Sequence, residues 1–356
     1  MDVPNVRPLL KWAGGKRQLL PELRAFYPTS FNQYWEPFLG SGAVFFDLYA
    51  SGRLAGHPAR LLDNNPDLMA CYERVRNEPD AVIAALHRLA AEHRKRGSAH
   101  YYEVRDRRFN PLRMALISNS SPQRTQWTQR RQKEIPPARR ACIETSGSVR
   151  LQPDVATPGP NCRAPLGEDS TEFQYTPELA AMLIYLNRTG FNGLFRLNAA
   201  GGFNVPAGRY EKPRICDSEN LRGVANALSQ PGVSIACLTF DRVLDEARAG
   251  DFLYFDPPYA PVSRTAQFTS YTAEGFGHAG QRRLQTLIVQ LAHRGCQVLL
   301  SNSTALQISE LYERDAAAKE AGLRCYRVPA RRAINSNASR RGPVTEFLIT
   351  NITPQN

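Results

Sequence analysis

"YWEPFLGSGAVFFDLYA", residues Tyr34 to Ala50, decides how the rest of the chain is read. Two aromatics run into Glu36, a loop carries Gly40, Ser41 and Gly42, and an apolar stretch free of breakers follows. That is strand, glycine turn, helix. "ARLLDNNPDLMACYERV", residues 59–75, repeats the pattern: an apolar strand ends on Asp63, and a cap-like turn opens a second helix. Strand and helix in alternation predict a doubly wound α/β fold, with helices on both faces of a mainly parallel sheet.

The loop also speaks to a ligand. Asp63 follows the glycines by about 20 residues, the distance at which a nucleotide-binding unit sets a carboxylate on ribose hydroxyls. A full GxGxxG is absent, so a nucleoside without a pyrophosphate fits better than a dinucleotide. The plainer reading of Asp63 is an N-cap for the helix after it. Upstream, "KWAGGK" sets Trp12, a double glycine and Lys16 within six residues. An aromatic face, a close-approach backbone and a cation suit a carboxylate- or sulfonium-bearing ligand. The helix after it is expected from about Lys16 to Phe26.

"LYFDPPY", residues 253–259, supplies the chemistry. A buried strand runs into Asp256, and Pro257 and Pro258 take the backbone rigidly out of the sheet. Asp256 and Tyr259 are then held at the carboxyl end of a strand, where open α/β sheets keep their ligands. An exocyclic amine on a nucleobase is a poor nucleophile, because its lone pair is delocalised into the ring. The Asp256 carboxylate and the Pro257 carbonyl can accept both of its N–H groups and expose that lone pair. Tyr259 can stack on the base, which in a duplex must first be flipped out.

The chain carries 45 Lys+Arg against 33 Asp+Glu, a formal +12, which favours polyanionic partners. Its seven cysteines show no CxxC, and its six histidines show no ligand spacing. Neither a disulfide framework nor a metal site is implied. No apolar run reaches the length of a membrane span, and the N-terminus has no signal-peptide core. A cytoplasmic protein is therefore expected. Residues 78–108 read as helical, with an amphipathic "AVIAALHRLAAEHRK". Residues 118–170 are rich in Pro, Ser, Arg and Gln without periodicity, and read as a disordered insertion. "TPELAAMLIYLNRTGFNGLFRLNAAGGFNVPAGRY" then predicts a helix and a hairpin with "AAGG" at its tip.

Taken together these segments resemble the Dam-type DNA adenine-N6 methyltransferases, of the α group of amino methyltransferases. "LLKWAGGKRQLL" is similar to the family's first motif, "WEPFLGSGAVFF" to its methionine-binding loop and "LLDNNPDL" to its ribose-binding strand end. "YLNRTGFNGLFRLNAAGGFNVPAGRY" resembles its target-recognition hairpin, and "FDPPYAP" its catalytic loop. Cofactor motifs come first, recognition lies in the middle and DPPY comes last, the order that marks the α group. The long insertion departs from the family's short connection.

The resemblance implies a Rossmann-like S-adenosylmethionine-dependent catalytic domain from residues 1–75 and 233–356. It implies a smaller, mainly helical recognition domain at 76–232 that carries the hairpin. Trp12, Lys16, Glu36, Gly40, Gly42, Asp63 and Asp256 would line the S-adenosyl-L-methionine site, with Lys16 near the methionine carboxylate. Asp256, Pro257, Pro258 and Tyr259 would form the catalytic loop. Phe191 would wedge into the duplex, Leu194 and Arg196 would read base edges, Asn192 and Asn198 would make polar contacts, and Pro206 would meet a thymine methyl. Arginine suits the two acceptors of guanine in the major groove. The implied partner is double-stranded DNA, at a GATC-like site, with a monomeric enzyme near the nucleoid of a prokaryotic or phage system. A cognate restriction endonuclease would be a companion that needs no contact. The competing readings are an RNA amino-methyltransferase and a catalytically silent DNA-binding relative.

Overall fold

The structure is a computed structural model that describes residues 6–12, 15–119, 175–261, 276–331 and 343–355. Its centre is a seven-stranded sheet. The strands are β1 (Tyr34–Glu36), β2 (Ala59–Asp63), β3 (Val233–Cys237), β4 (Phe252–Phe255), β5 (Gln297–Ser303), β6 (Arg324–Arg331) and β7 (Pro343–Thr350). They lie in the order β3-β2-β1-β4-β5-β7-β6. The first five run parallel, and β7 is antiparallel to both β5 and β6. From β1 the chain goes outward through β2 and β3, then returns to β4 on β1's other side. The order therefore reverses between β1 and β4, which is where such sheets open a crevice at their carboxyl ends.

The apolar run of β4 follows from burial on both faces. Leu253 and Phe255 join a core cluster with Val298, Leu300, Leu284, Leu287, Ile288 and Leu291. Four of these residues, Leu284, Leu287, Ile288 and Leu291, recur along one face of a helix, Gly277-capped, that spans His278–His293. On the other side Phe252 packs its ring against Tyr27, Phe31 and Tyr34.

Among the described residues, the α-helices before residue 120 are α1 (Leu20–Arg24), α2 (Ala43–Ala50), α3 (Pro66–Asn77), α4 (Pro79–Arg96), α5 (Ser98–Glu103) and α6 (Asn110–Asn119). Then come α7 (Pro177–Thr189), α8 (Ser218–Leu228) and α9 (His278–His293). The helix expected from Lys16 to Phe26 is not continuous. Lys16–Gln18 forms a 3-10 turn, and α1 restarts at Leu20 with Pro21 in its first turn. Proline is accepted there because its missing N–H has no intrahelical partner to lose. The helical span expected over 78–108 divides at Gly97, whose φ of +53° ends α4. It then continues through α5 and a π turn at Val104–Phe109 into α6. Helix α7 is buried nearly all round, from Leu179 to Thr189.

Met1–Met114 and Tyr175–Asn356 gather into one compact unit, and Ala115–Gln174 form a second. Of the second, only residues 115–119 at the end of α6 are described, so the insertion expected at 118–170 lies almost wholly outside the described residues. Its flanks do not. Arg113 donates from Nε to Asp67 Oδ1 and from Nη2 to Oδ2, each at 2.7 Å, and the Tyr175 hydroxyl donates to the same Oδ1. All three residues are buried. The chain leaves and returns at one carboxylate in the first turn of α3.

Two results are expected. Deleting residues 120–168 leaves the thermal unfolding midpoint close to that of the full chain. Arg113→Met leaves the buried Asp67 without its cation, held by Tyr175 alone, and costs about 3–5 kcal/mol in urea denaturation.

Candidate active site

The glycine loop leaves β1 beside the end of β2. Leu39 N donates to Leu62 O at 2.9 Å, which ties the loop to its neighbour strand. Gly40 (φ +48°) and Gly42 (φ +66°) lie in the left-handed region that side chains disfavour. A Cβ on Gly40 would come within 2.9 Å of Trp12 Cδ1, and one on Gly42 equally near Phe46 Cε2. Asp63 Oδ2 accepts from Gly40 N at 3.0 Å and Oδ1 from Asn65 N at 2.9 Å. Tyr72 donates its hydroxyl to Gly40 O at 3.1 Å. The helix cap once ascribed to Asp63 belongs to Asn65, whose side chain accepts from Leu68 N at 3.2 Å. Asp63 instead ties the glycine loop to the β2 end.

Glu36 is 2% exposed. Its Oε2 accepts from the Tyr34 hydroxyl at 2.8 Å and from Phe45 N at 3.0 Å, in the open first turn of α2. Helix N-termini favour negative charge. Burial nevertheless pushes the Glu36 carboxyl up to about 8, with the Tyr34 and Phe45 bonds opposing it and the Asp256 and Asp63 charges adding to it. Burial likewise pushes Asp63 up to about 6, against its backbone hydrogen bonds.

Across the switch point, Asp256 Oδ1 receives Lys16 Nζ at 2.6 Å and Ser301 Oγ at 3.1 Å. Ser301 Oγ also shares a hydrogen bond with the Tyr254 hydroxyl at 3.1 Å. Burial raises the Asp256 carboxyl, and Lys16 and Ser301 work against it. The Lys16 ammonium stands 4.4 Å from the centre of the Tyr259 ring. The loop backbone is fixed from outside: Gln281 Nε2 donates to Pro258 O at 2.8 Å and Ser303 Oγ to Ala260 O at 2.6 Å. Asn302 completes this frame, since its Oδ1 accepts from Ala260 N at 3.3 Å and its Nδ2 donates to Gln281 Oε1 at 3.0 Å.

Residues 190–207 form an antiparallel ribbon closed by bridges at Gly190–Ala207 and Leu197–Phe203. Its turn runs through Asn198–Gly201, with Gly201 N on Asn198 O at 2.9 Å, so the tip includes the alanines and the first glycine of "AAGG". Asn198 Oδ1 accepts from Gly202 N at 2.9 Å. Phe191 is 46% exposed, and Asn192, at φ +54°, and Pro206 are exposed beside it. Leu194 is buried. Arg196 Nε donates to Asn204 Oδ1 at 2.8 Å across the ribbon. Trp12 links the two regions: it packs on Gly40 and stacks on Phe195 at 5.9 Å and 22°.

Several of these supports were not visible in the sequence. Asn187 accepts from Lys11 N at 2.8 Å and donates to Gly193 O at 2.8 Å, stitching the first motif to the hairpin. Tyr101 and Arg105 each donate to Val205 O at 2.9 Å, and Asn110 brackets Phe203. Ser301, Asn302 and Ser303 carried a signal in retrospect: three polar residues that end an otherwise apolar strand have to answer to something.

The strand order, with a glycine loop and an Asp-Pro-Pro-Tyr loop facing each other over the switch point, is that of the Rossmann-like methyltransferase class. Within it, the family model for D12 class N6 adenine-specific DNA methyltransferases matches residues 12–324, and the chain belongs to that family. The type II methyltransferase M1.LlaDCHI of Lactococcus lactis subsp. cremoris is 33% identical over 347 residues, 98% of this chain and 96% of its own length. The type II methyltransferase M.MjaIII of Methanocaldococcus jannaschii is 32% identical over 358 residues, covering 98% and 99%. The DNA adenine methylase of Escherichia coli K12 is 29% identical over 342 residues, covering 96% and 94%. The protein is a DNA methyltransferase specific for adenine N6. The family implies a methyl donor. Among the described residues, no helix is long and apolar enough to cross a membrane.

The raised Glu36 sets a pH dependence. Its protonated form is favoured in the folded state, so its stabilising contribution is complete below about 4.5 and is lost as pH rises through about 8. The thermal midpoint of the ligand-free protein is expected to fall over that interval. It should fall less in Glu36→Gln, which is neutral throughout and keeps both acceptor bonds.

Proposed function

We propose that the enzyme takes its methyl group from S-adenosylmethionine, extrudes adenine from a GATC-like duplex site and methylates N6 by direct attack. One observation carries this reading. Asp256 and Tyr259 share one cation, Lys16, at the edge of a crevice whose opposite lip is the Gly40–Gly42 loop. The donor set fits the cofactor: Trp12 against the glycine loop, a carboxylate at the β2 end and a buried cation. Asp63 would hold the ribose, Lys16 the methionine carboxylate, and Glu36 would keep the loop on α2 while Gly40 and Gly42 permit close approach. When bound, S-adenosylmethionine supplies a methyl group on a sulfonium, a good leaving group.

Asp256 would accept one N–H of the target amine and the Pro257 carbonyl the other, with Pro258 holding the turn. This pulls the nitrogen toward tetrahedral geometry and frees its lone pair. Lys16 occupies that carboxylate in the ligand-free protein, so the amine would take its place as the cation turns to the cofactor. Tyr259 would stack on the flipped base. The proton leaves to water, or passes through Asp256.

Residues 76–232 would form the recognition part, with its hairpin braced by α5 and α6. Exposed Phe191 suits a wedge, with Asn192 and Pro206 beside it. Arg196, oriented by Asn204, suits a guanine edge. Leu194 would support the ribbon while it contacts DNA at its margin, and Asn198 would shape the tip. The enzyme would act as a monomer on nucleoid or phage DNA in the cytoplasm, alone or alongside a restriction endonuclease.

Asp256→Ala is expected to abolish methyl transfer while duplex affinity stays near that of wild type; normal turnover would remove Asp256 from the mechanism. Arg196→Ala should relax choice at one base position by about 1–3 kcal/mol. Sequencing of methylated adenines in DNA from expressing cells reads both the reaction and the site; methylation spread without a GATC-like motif would sink the target assignment.

A further inference from the structure

We propose that Glu346 is a positioning residue for methyl transfer, fixing the plane in which the Tyr259 ring meets the target base. The proposal rests on the reading that Tyr259 stacks on the extruded adenine.

The DPPY loop is held at its backbone by Gln281, Asn302 and Ser303, as described above. None of these bonds restrains the ring of Tyr259, which can still turn about its two side-chain torsions. A second point of attachment is needed to define a plane. Glu346 supplies it together with Ser301, accepting the Tyr259 hydroxyl on Oε2 at 2.7 Å while Ser301 also bonds the Tyr259 side chain. A carboxylate acceptor makes this bond short and stronger than a neutral one.

The glutamate is well mounted for the purpose. It lies on β7, which is paired on both sides: Glu346 stands opposite Ser303 of β5 and Val328 of β6. An interior strand shifts less than a loop. Ser303 itself holds Ala260 O, so one register position fixes the loop backbone through β5 and the ring tip through β7. The Lys16 ammonium over the ring then ties its orientation to Asp256, on which the same cation rests. The ring and the Asp256 carboxylate that would grip one base are thus set relative to each other by two charged groups, Lys16 and Glu346, from separate parts of the chain. No feature of "TEFLITN" taken alone assigns its glutamate this task.

The test uses the full chain and five variants: Glu346→Ala, Glu346→Gln, Tyr259→Phe, Tyr259→Ala and the double variant Glu346→Ala/Tyr259→Phe. Single-turnover methylation is measured at saturating S-adenosylmethionine and duplex, alongside duplex affinity and the thermal midpoint. A modest misplacement of a positioned group is costly to rate, so Glu346→Ala and Tyr259→Phe should each slow transfer by about tenfold or more. The double variant should be no slower than Tyr259→Phe alone, because that ring has already lost its bond to Glu346. Glu346→Gln keeps an acceptor and should restore most of the rate. Affinity and midpoint should hardly move. Multiplying losses in the double variant, or Glu346→Gln as slow as Glu346→Ala, would overturn the proposal. A normal rate for Glu346→Ala beside a slow Tyr259→Ala would overturn it while sparing the stacking reading. An unimpaired Tyr259→Ala would overturn both.

Discussion

Three carboxylates, on buried Glu36 and Asp63 and on half-buried Asp256, meet at the ends of three adjacent parallel strands. A buried negative charge has to be met by donors, and that requirement organises the molecule around the crevice. Glu36 recruits the first turn of α2 and a tyrosine hydroxyl. Asp63 recruits a glycine amide, which draws the loop over the β2 end. Asp256 recruits a serine from β5 and a cation, Lys16. The donors come from separate segments of the chain, so meeting the charges also closes the site. Burial raises all three acids above their ordinary range, and the donors gathered around Asp63 and Asp256 work against that rise.

Much of this arrangement can be read from the sequence, because it is local. The β1 and β2 ends, the glycine turn, the rigid DPPY exit and the hairpin tip each lie within a dozen residues, with a residue type that the geometry requires. What escapes is non-local or depends on a conflict of short-range preferences. Pro21 breaks the helix expected from Lys16 to Phe26, and a turn fills the gap. Asn65 takes the cap because its side chain reaches Leu68 N, while Asp63 is already committed to Gly40. Asn187, Arg113 and Glu346 find partners 176, 46 and 87 residues away, and no local pattern carries such pairings.

The hairpin illustrates the division of labour. Few of its residues pair as strands, so its shape depends on neighbours: Tyr101, Arg105 and Asn110 hold the returning arm, and Asn187 holds the outgoing one. Leu194, Phe203 and Val205 are buried, Phe195 and Leu197 are half-buried, and Phe191 is exposed. An exposed phenylalanine on a braced ribbon is the arrangement expected of a side chain kept ready for a partner's surface.

The meeting of Arg113 and Tyr175 on Asp67 has a consequence for how such a chain can diversify. Because both flanks are stapled to one acid in the fold, the connection between them is a permissive splice point. A reporter or a second DNA-binding module grafted there would start from two ends that the fold already holds together.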